Sequence, residues 1–576
     1  MTAVRPLGPE QRAQSWAELV KGEFEVLVIG GGVTGAGVAL DAATRGLRTA
    51  LVEARDFASG TSSRSSKLFH GGLRYLEQFD FGLVREALHE RDLSVNRIAP
   101  HLVKPVPFLY PLTRRGWERP YVTAGLALYD GLARLGALSD PMPAQKHLTR
   151  TGARRMFPAL KPDALVGAVR YYDAQADDAR HTLTLALTAA AYGATVLNSA
   201  EVVSFLHAGG RVVGVRVRDV ETGEEVEVRS EVVVNATGVW TDDIQTLIGG
   251  RGRFHVRASK GVHIVVPRDR INGEAGLILR TEKSVLFVIP WGSHWIVGTT
   301  DTDWELDKAH PAASRADIDY ILEHVNEVLS VPLTHDDITG VYAGLRPLLS
   351  GESESTSQLS REHAVARPMP GVIAVAGGKY TTYRPMAADA VDAVAADVTR
   401  RVPPSVTENI PLVGAEGYAA MVNSLDGLSD RWGIPRFRAE HLLNRFGSLT
   451  PEVLALAADR PELLEPVPGA EEYLMVEMVW AVEHEGALHL DDLLARRTRI
   501  SIETAHRGVD SAEAVARLVA PSLGWDEERL TAEVSGYAAR VEAERLSQAA
   551  PDDQEADAAR IAAPDTRSVL VGRTPS

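Results

Sequence analysis

The chain has 576 residues, 45% of them apolar and 24% charged. At roughly 150 residues per domain this globular composition implies several domains. The 61 basic and 77 acidic residues leave a net charge of −16, which excludes a protein that binds nucleic acid over much of its surface. Cysteine is absent, so disulfides, thiolate zinc sites, iron–sulfur clusters and a cysteine nucleophile are excluded as well.

Residues 1–23 read as a polar lead-in, with neither a signal peptide nor a spanning helix in view. Phe24–Ile29 is an apolar run that breaks into Gly30-Gly31-Gly32-Val33-Thr34-Gly35, followed by an Ala-rich helix to Arg45 with Gly46 as its cap. Arg48–Val52 is a second strand, ending at Glu53. Strand, glycine turn, helix and strand in register make a βαβ unit. Gly30 permits the turn, Gly32 lets backbone approach a pyrophosphate, and Gly35 lets helix pack on strand. The helix N-terminus favours an anion, and Glu53 can accept ribose hydroxyls. The pattern predicts dinucleotide binding.

A Ser/Gly-rich loop and a helix fill residues 56–100. Residues 101–147 mix proline, aromatic and basic side chains. Within them the stretch 102–137 interleaves Phe108, Tyr110, Trp117, Tyr121 and Tyr129 with Lys104, Arg114, Arg115, Arg119 and Arg134, a pattern suited to a membrane interface. Strands are predicted at Ala200–Phe205, Arg211–Asp219 and Val226–Arg229, with hairpin turns at Gly209-Gly210 and Gly223. Val232–Val234 runs into Ala236-Thr237-Gly238. Val285–Pro290 and Trp295–Gly298 flank another turn. Gly371–Ala376 leads into Gly377-Gly378-Lys379 and a helix to about Arg400. Two such strand ends returning to one cofactor favour FAD over NAD, the second placing a helix N-terminus near the flavin ring.

After the linker at Arg401-Val402-Pro403-Pro404 the chain reads as helical at Arg436–Phe446, Pro451–Ala458, Glu471–Glu485, Glu513–Val519 and Glu527–Leu546. Thr450 and Asp526 are expected as N-caps. The segment 410–546 reads as a helical cap or dimer surface, and the Ala/Asp/Pro-rich tail 547–576 as disordered.

Several motifs together resemble the flavin-dependent, respiratory glycerol-3-phosphate dehydrogenases. They are the run from Thr61 through Ser62, Ser63, Lys67, His70, Arg74 and Tyr75 to Glu77; Ser259-Lys260-Gly261-Val262-His263; Gly298-Thr299-Thr300-Asp301; Ala343-Gly344-Leu345-Arg346-Pro347; and Gly377-Gly378-Lys379-Tyr380-Thr381-Thr382-Tyr383-Arg384. The likeness runs from about residue 24 to 545. It implies an α/β fold, with a two-dinucleotide Rossmann-like FAD domain at about 24–100, 160–250 and 340–400. A β-rich substrate domain is inserted at about 101–160 and 251–340, and an all-α domain follows.

The resemblance implies non-covalent FAD and no metal. It implies oxidation of sn-glycerol 3-phosphate to dihydroxyacetone phosphate, with the hydride passing to flavin N5 and the electrons to a membrane quinone. Cofactor contacts fall at Gly30, Gly32, Gly35, Glu53, Ser62, Ser63, Lys67, Thr237, Gly238, Gly378 and Lys379. Substrate contacts fall at Arg74, Tyr75, Lys379 and Thr382. His263 and Arg346 are the catalytic candidates: His263 as base, because its ordinary pKa suits the task, while Arg346, also one of the groups available to the phosphate, could instead hold a developing alkoxide by its charge. The family reading places the protein in the cytoplasm, peripheral on the inner face of the plasma membrane, and is compatible with a homodimer. The rival readings are an oxidase that uses oxygen on glycerol 3-phosphate or an amine, a non-catalytic flavin-binding protein, and a flavoprotein acting on transfer RNA.

Overall fold

A computed structural model describes residues 5–72, 81–114, 116, 122, 125, 142–249, 255–281, 285–349, 363–563 and 565–569. The first predicted strand is Glu23–Ile29, at the centre of a sheet ordered His363–Met369, Val372–Gly377, Glu225–Asn235, Glu23–Ile29, Thr49–Val52, Thr195–Leu197. From Val372–Gly377 to Thr195–Leu197 all neighbours are parallel. Parallel strands are covered on both faces, which is why these segments read as unbroken apolar runs. Val26, Leu27, Val28, Val232, Val233 and Val234 are all fully buried. One layer of cover comes from the helix Val33–Thr44, packed between Asp178–Ala191 and Tyr383–Ala395. The predicted strands at 226–229 and 232–234 are one strand, Glu225–Asn235. Its first half pairs with Arg211–Asp219 and its second half with Glu23–Ile29.

Among the described residues a second sheet of ten strands lies beside the first. Its main path is Thr302–Trp304, Val256–Pro267, His294–Gly298, Val285–Trp291, Gly276–Arg280, Lys104–Leu112, Gly167–Gln175 and Leu68–Phe69, and Gly340–Leu349 pairs along Val256–Pro267. This shifts the expected domain boundaries. Leu68–Phe69, Gly167–Gln175 and Gly340–Leu349 belong to the second sheet, because each completes its backbone pairing there. It also corrects part of the membrane-interface reading. Phe108 and Tyr110 are buried within the second sheet. Lys104 donates to the Pro100 carbonyl at 2.7 Å and lies against the Tyr418 ring. Arg115, Trp117, Tyr121, Tyr129, Arg119 and Arg134 lie outside the described residues. No helix among the described residues is long and apolar enough to cross a membrane.

Helices follow the linker, with Arg436–Phe446 at the expected bounds and Glu527–Ala549 capped by Asp526, whose side chain accepts from the Arg529 N–H at 2.8 Å. Thr450 is the first helical residue rather than the cap, since a 3₁₀ turn at Gly447–Leu449 already leads in. The helix expected from Glu471 starts at Met475, and Ala470–Leu474 is instead a strand paired with Pro466–Val467 across Gly469, where φ is +76°. Two flanking segments are ordered where the sequence suggested otherwise. The lead-in contains the helix Pro9–Lys21, which buries Leu19, and Arg12 bonds to Asp219 at 3.0 Å. The described part of the tail forms the helices Asp553–Ile561 and Thr566–Val569 rather than a disordered run, and residues 564 and 570–576 lie outside the described residues.

The helical domain is fastened to the first sheet by buried charge. Asp56, fully buried, accepts from Arg496 Nε at 2.5 Å and from both terminal nitrogens of Arg497 at 2.8 Å. Removing one side of such a set strands the other in low dielectric. Asp56→Asn should therefore lower stability by about 3–5 kcal/mol, read as a drop in the urea midpoint of the apoprotein. A midpoint unchanged from wild type would show that the pairing does not hold the domains together.

Candidate active site

A cavity of about 900 Å³ opens at the carboxyl ends of the parallel strands and continues against the second sheet. It lies at the upper end of the roughly 300–1,000 Å³ usual for small-molecule sites, and parallel sheets place ligands at this edge. At the glycine turn Gly30 has φ +106°, and a Cβ there would lie 2.8 Å from the Ala236 carbonyl oxygen. A Cβ on Gly35 would stand 1.8 Å from the Gly30 oxygen, which accounts for close helix–strand packing. A Cβ on Gly32 would meet only Ser62 Oγ, at 3.3 Å, and Gly32 lines the cavity. The turn is thus a cradle that a side chain would fill, and it fits a bound pyrophosphate.

Glu53 lines the same cavity. Its carboxylate accepts from the Gly31 N–H at 2.6 Å and the Arg55 N–H at 2.9 Å. Burial pushes its pKa up against those two donors. Ser62 lines the cavity too, while its Oγ accepts from the Val33 N–H at 2.9 Å. Thr237 and Gly238 line it from the next strand end. Asn235 holds Thr237 through its N–H at 3.2 Å and its Oγ1 at 2.7 Å, and Gly238 has φ +59°. Gly378 and Lys379 line it from the last strand end. A Cβ on Gly378 would come within 2.4 Å of the Met386 sulfur.

Four expected contacts are placed elsewhere: Gly35 does not line the cavity and serves the helix–strand packing, and three side chains turn to other partners. The Ser63 side chain turns to the Gly60 carbonyl, at 3.5 Å, and is not among the cavity walls. Lys67 points away from the cavity, into a buried pair with Asp178 at 2.8 Å, because its backbone takes a left-handed φ of +57°. Thr382 is buried and bonds the Lys379 carbonyl at 3.3 Å; Thr381 lines the cavity in its place, accepting from the His70 N–H at 3.1 Å. Arg74 and Tyr75 lie outside the described residues.

The second sheet brings the two catalytic candidates to one face. Its register sets Ser259 opposite Arg346, Gly261 opposite Gly344 and His263 opposite Tyr342. Side chains two apart share a face, so Arg346 projects beside His263 over a lane of glycine. A Cβ on Gly261 would lie 2.7 Å from an Arg346 nitrogen, and one on Gly298 would lie 2.5 Å from His263 Cδ2. The Arg346 guanidinium is braced by Asp301 at 3.2 Å, Thr299 Oγ1 at 3.0 Å and the Thr300 carbonyl. Asp301 in turn accepts from Ser259 Oγ. Arg346 and His263 both line the cavity.

His263 stacks on Tyr342 with ring centroids 4.8 Å apart, and its Nε2 shares a hydrogen bond with Ser66 Oγ at 2.9 Å. Its pKa is not the ordinary imidazole value that suggested it as base. Burial first, then the charges of Arg346 and Lys67, hold it well below 6.5. The ring is neutral at neutral pH, able to accept a proton but weakly basic.

Several site residues carried no assigned role in the sequence. Ser66 and Tyr342 are 197 and 79 positions from His263, and no local pattern announces their meeting. Arg64 lines the cavity and donates to the Ala309 carbonyl at 3.2 Å; burial lowers its pKa to about 10. Thr299 and Asp301 stood inside a quoted motif without a role, and only the sheet register shows that they brace Arg346.

Comparison with known proteins bears on this site. Residues 25–384 match the model of the FAD dependent oxidoreductase family, and residues 405–530 match the C-terminal domain of alpha-glycerophosphate oxidase. The chain is 63% identical to a glycerol-3-phosphate dehydrogenase of Mycobacterium leprae, over 98% of this chain and 96% of that protein. It is 38% identical to the mitochondrial glycerol-3-phosphate dehydrogenase of Homo sapiens, over 90% of this chain and 73% of that protein. A crystal structure of the glycerol-3-phosphate dehydrogenase of Bacillus halodurans in complex with FAD matches with TM-score 0.77 and 30% identity, covering 93% of this chain and 98% of that one.

Two glycine substitutions separate turn packing from cofactor approach. Gly35→Ala should destabilise the apoprotein and abolish cofactor retention. Gly32→Ala should leave apoprotein stability within about 0.5 kcal/mol, since only Ser62 Oγ, 3.3 Å away, has to give by a few tenths of an ångström, yet weaken cofactor binding. Denaturant midpoints and flavin content per chain read both. Full flavin content in Gly32→Ala would remove the cradle from the binding site.

Proposed function

Since the chain belongs to the family of FAD-dependent glycerol-3-phosphate dehydrogenases, we propose that it oxidises sn-glycerol 3-phosphate to dihydroxyacetone phosphate and delivers the electrons to a membrane quinone. The observation that carries this reading is the placement of Arg346 and His263 on one sheet face of the cavity, with Lys379 on the last strand end. A phosphate dianion needs fixed cations, and charge-assisted hydrogen bonds contribute about 1.5–3 kcal/mol each. Lys379 and Arg346 supply two such cations, and Arg74 and Tyr75, though outside the described residues, stand at motif positions the family uses near substrate.

Bound FAD supplies a two-electron acceptor at N5. The chain supplies orientation and proton handling. His263 takes the proton of the C2 hydroxyl, and Ser66 and Tyr342 fix its ring. Arg346, held by Asp301, Thr299 and Thr300, faces the charge that develops on the C2 oxygen as the proton leaves. The substrate's own negative charge raises the basicity of His263 once bound, which offsets part of the depression by burial. Contact with the inner face of the plasma membrane is assigned to the part of 102–137 beyond the buried strand.

A base whose pKa lies below the ordinary value stays deprotonated as the pH falls through 6.5. The acid limb of kcat/KM, which reports the free enzyme, should therefore lie below pH 6.5, and His263→Asn should lower kcat/KM by about 10²–10⁴-fold and remove that limb. An acid limb left in place in His263→Asn, beyond the one that the substrate's own phosphate sets at about pH 6, would assign the base elsewhere. The acceptor is tested separately. With a soluble quinone analogue, one reduced quinone should form per dihydroxyacetone phosphate without peroxide. Stoichiometric hydrogen peroxide, with no gain from quinone, would establish an oxidase instead.

A further inference from the structure

The chain does not leave the molecule after the helix Glu527–Ala549. The Ala550 carbonyl accepts from the Arg315 N–H at 2.8 Å. Asp553 shares the buried Lys260 ammonium with Asp317 and accepts from Ser314 Oγ at 3.0 Å. Asp557 accepts from the Asp307 N–H at 3.3 Å, and Arg560 is buried beside Glu544. These contacts draw the segment across the second sheet towards the first.

Its end reaches the cavity itself. Asp565 pairs with Arg55 and lies 3.3 Å from His310 Nε2, and its other oxygen accepts from the Arg567 N–H at 3.1 Å. Arg567 is buried, donates to both oxygens of Asp492 at 2.9 Å, and reaches Ser199 Oγ at 3.1 Å through Nε. Asp565 and Arg567 line the same cavity as Glu53 and Arg55. Glu53 ends the second strand of the βαβ unit, the position that faces a ribose, so this is the adenosine end of the cofactor site.

We infer that the C-terminal segment, residues 550–563 and 565–569, is a wall of the FAD site: a strap whose Asp565 and Arg567 close the adenosine end and slow cofactor release. The inference rests on FAD as the cofactor. The strap is tied at both ends. Arg55 belongs to the loop that follows Glu53, and Asp492 sits in the turn Asp492–Arg497 of the helical domain, whose Arg496 and Arg497 hold Asp56. The cofactor's adenosine half is thus enclosed by residues from both ends of the sequence, and leaving requires the Arg55–Asp565 and Arg567–Asp492 pairs to part. Such buried, charge-assisted contacts set a dissociation barrier rather than an encounter rate.

The test uses protein loaded with FAD and, in parallel, protein loaded with FMN, and follows the rise of free-flavin fluorescence on dilution. Three proteins are compared: the full chain, a chain ending at Ile561, and Arg567→Met. The truncation keeps the helix Asp553–Ile561 and its Lys260 contact, and the point variant covers the case in which the truncation fails to fold. FAD should be released at least about tenfold faster from both altered proteins. Release of FMN, which has no adenosine, should be the same from all three. FAD release at the wild-type rate from the altered proteins overturns the inference. So does an equal acceleration for FAD and FMN, which would mean general loosening and not a contact at the adenosine end.

Discussion

The carboxylate of Asp178 ties together the parts that must meet at the site. It is the first residue of the helix Asp178–Ala191, where a negative charge also suits the helix end. One oxygen accepts from the Ser65 N–H at 2.9 Å and Ser65 Oγ at 2.7 Å. The other accepts from Lys67 Nζ at 2.8 Å and from Arg499 of the helical domain. Ser66 lies between those two anchored neighbours and meets His263. The loop that presents Ser66 is therefore set by a buried charge and by the helical domain as much as by its own sequence. Burial first, and then the charge of Arg499, lower the pKa of Lys67, and Asp178 opposes both. Such a pair is costly to break from one side, which makes it a specifier of geometry more than a source of net stability.

Around the cavity, space is arranged by omission. Gly261, Gly298 and Gly344 lie where a methyl group would strike Arg346, His263 and the Arg64 backbone respectively. They let a guanidinium and an imidazole lie flat on a sheet whose neighbouring residues are packed. The same logic operates beside the first sheet, at Gly30 in the turn after the strand Glu23–Ile29 and at Gly35 in the helix Val33–Thr44. The two sheets thus offer backbone surfaces to opposite sides of one cavity, with side-chain chemistry confined to a few positions.

What the sequence discloses follows the range of the interactions. The βαβ unit was legible because strand, turn, helix and acid are contiguous and each has its own periodicity or glycine. Arg436–Phe446 and the Asp526 cap were legible for the same local reason. Ala470–Leu474 was not, because Glu471 and Glu472 suit a helical start and only pairing with Pro466–Val467 makes the segment a strand. The tail looked disordered because its composition is Ala/Asp/Pro-rich. Its order comes from partners far away in sequence: Lys260 for Asp553, Arg55 for Asp565 and Asp492 for Arg567. Lys67 illustrates the limit within the site. Its motif position suggested a cofactor contact, but its left-handed backbone and Asp178 turn it the other way. The depressed pKa of His263 is equally illegible, because burial and the nearness of Arg346 exist only in the fold.

The central claim is that this cavity brings sn-glycerol 3-phosphate to a flavin. It is tested most directly by adding that compound to the FAD-loaded protein without oxygen and recording the visible spectrum. The account predicts rapid loss of the oxidised-flavin band near ~450 nm, with one dihydroxyacetone phosphate formed per flavin. A band that persists with the substrate yet bleaches with dithionite would contradict it, leaving a flavoprotein whose substrate lies elsewhere.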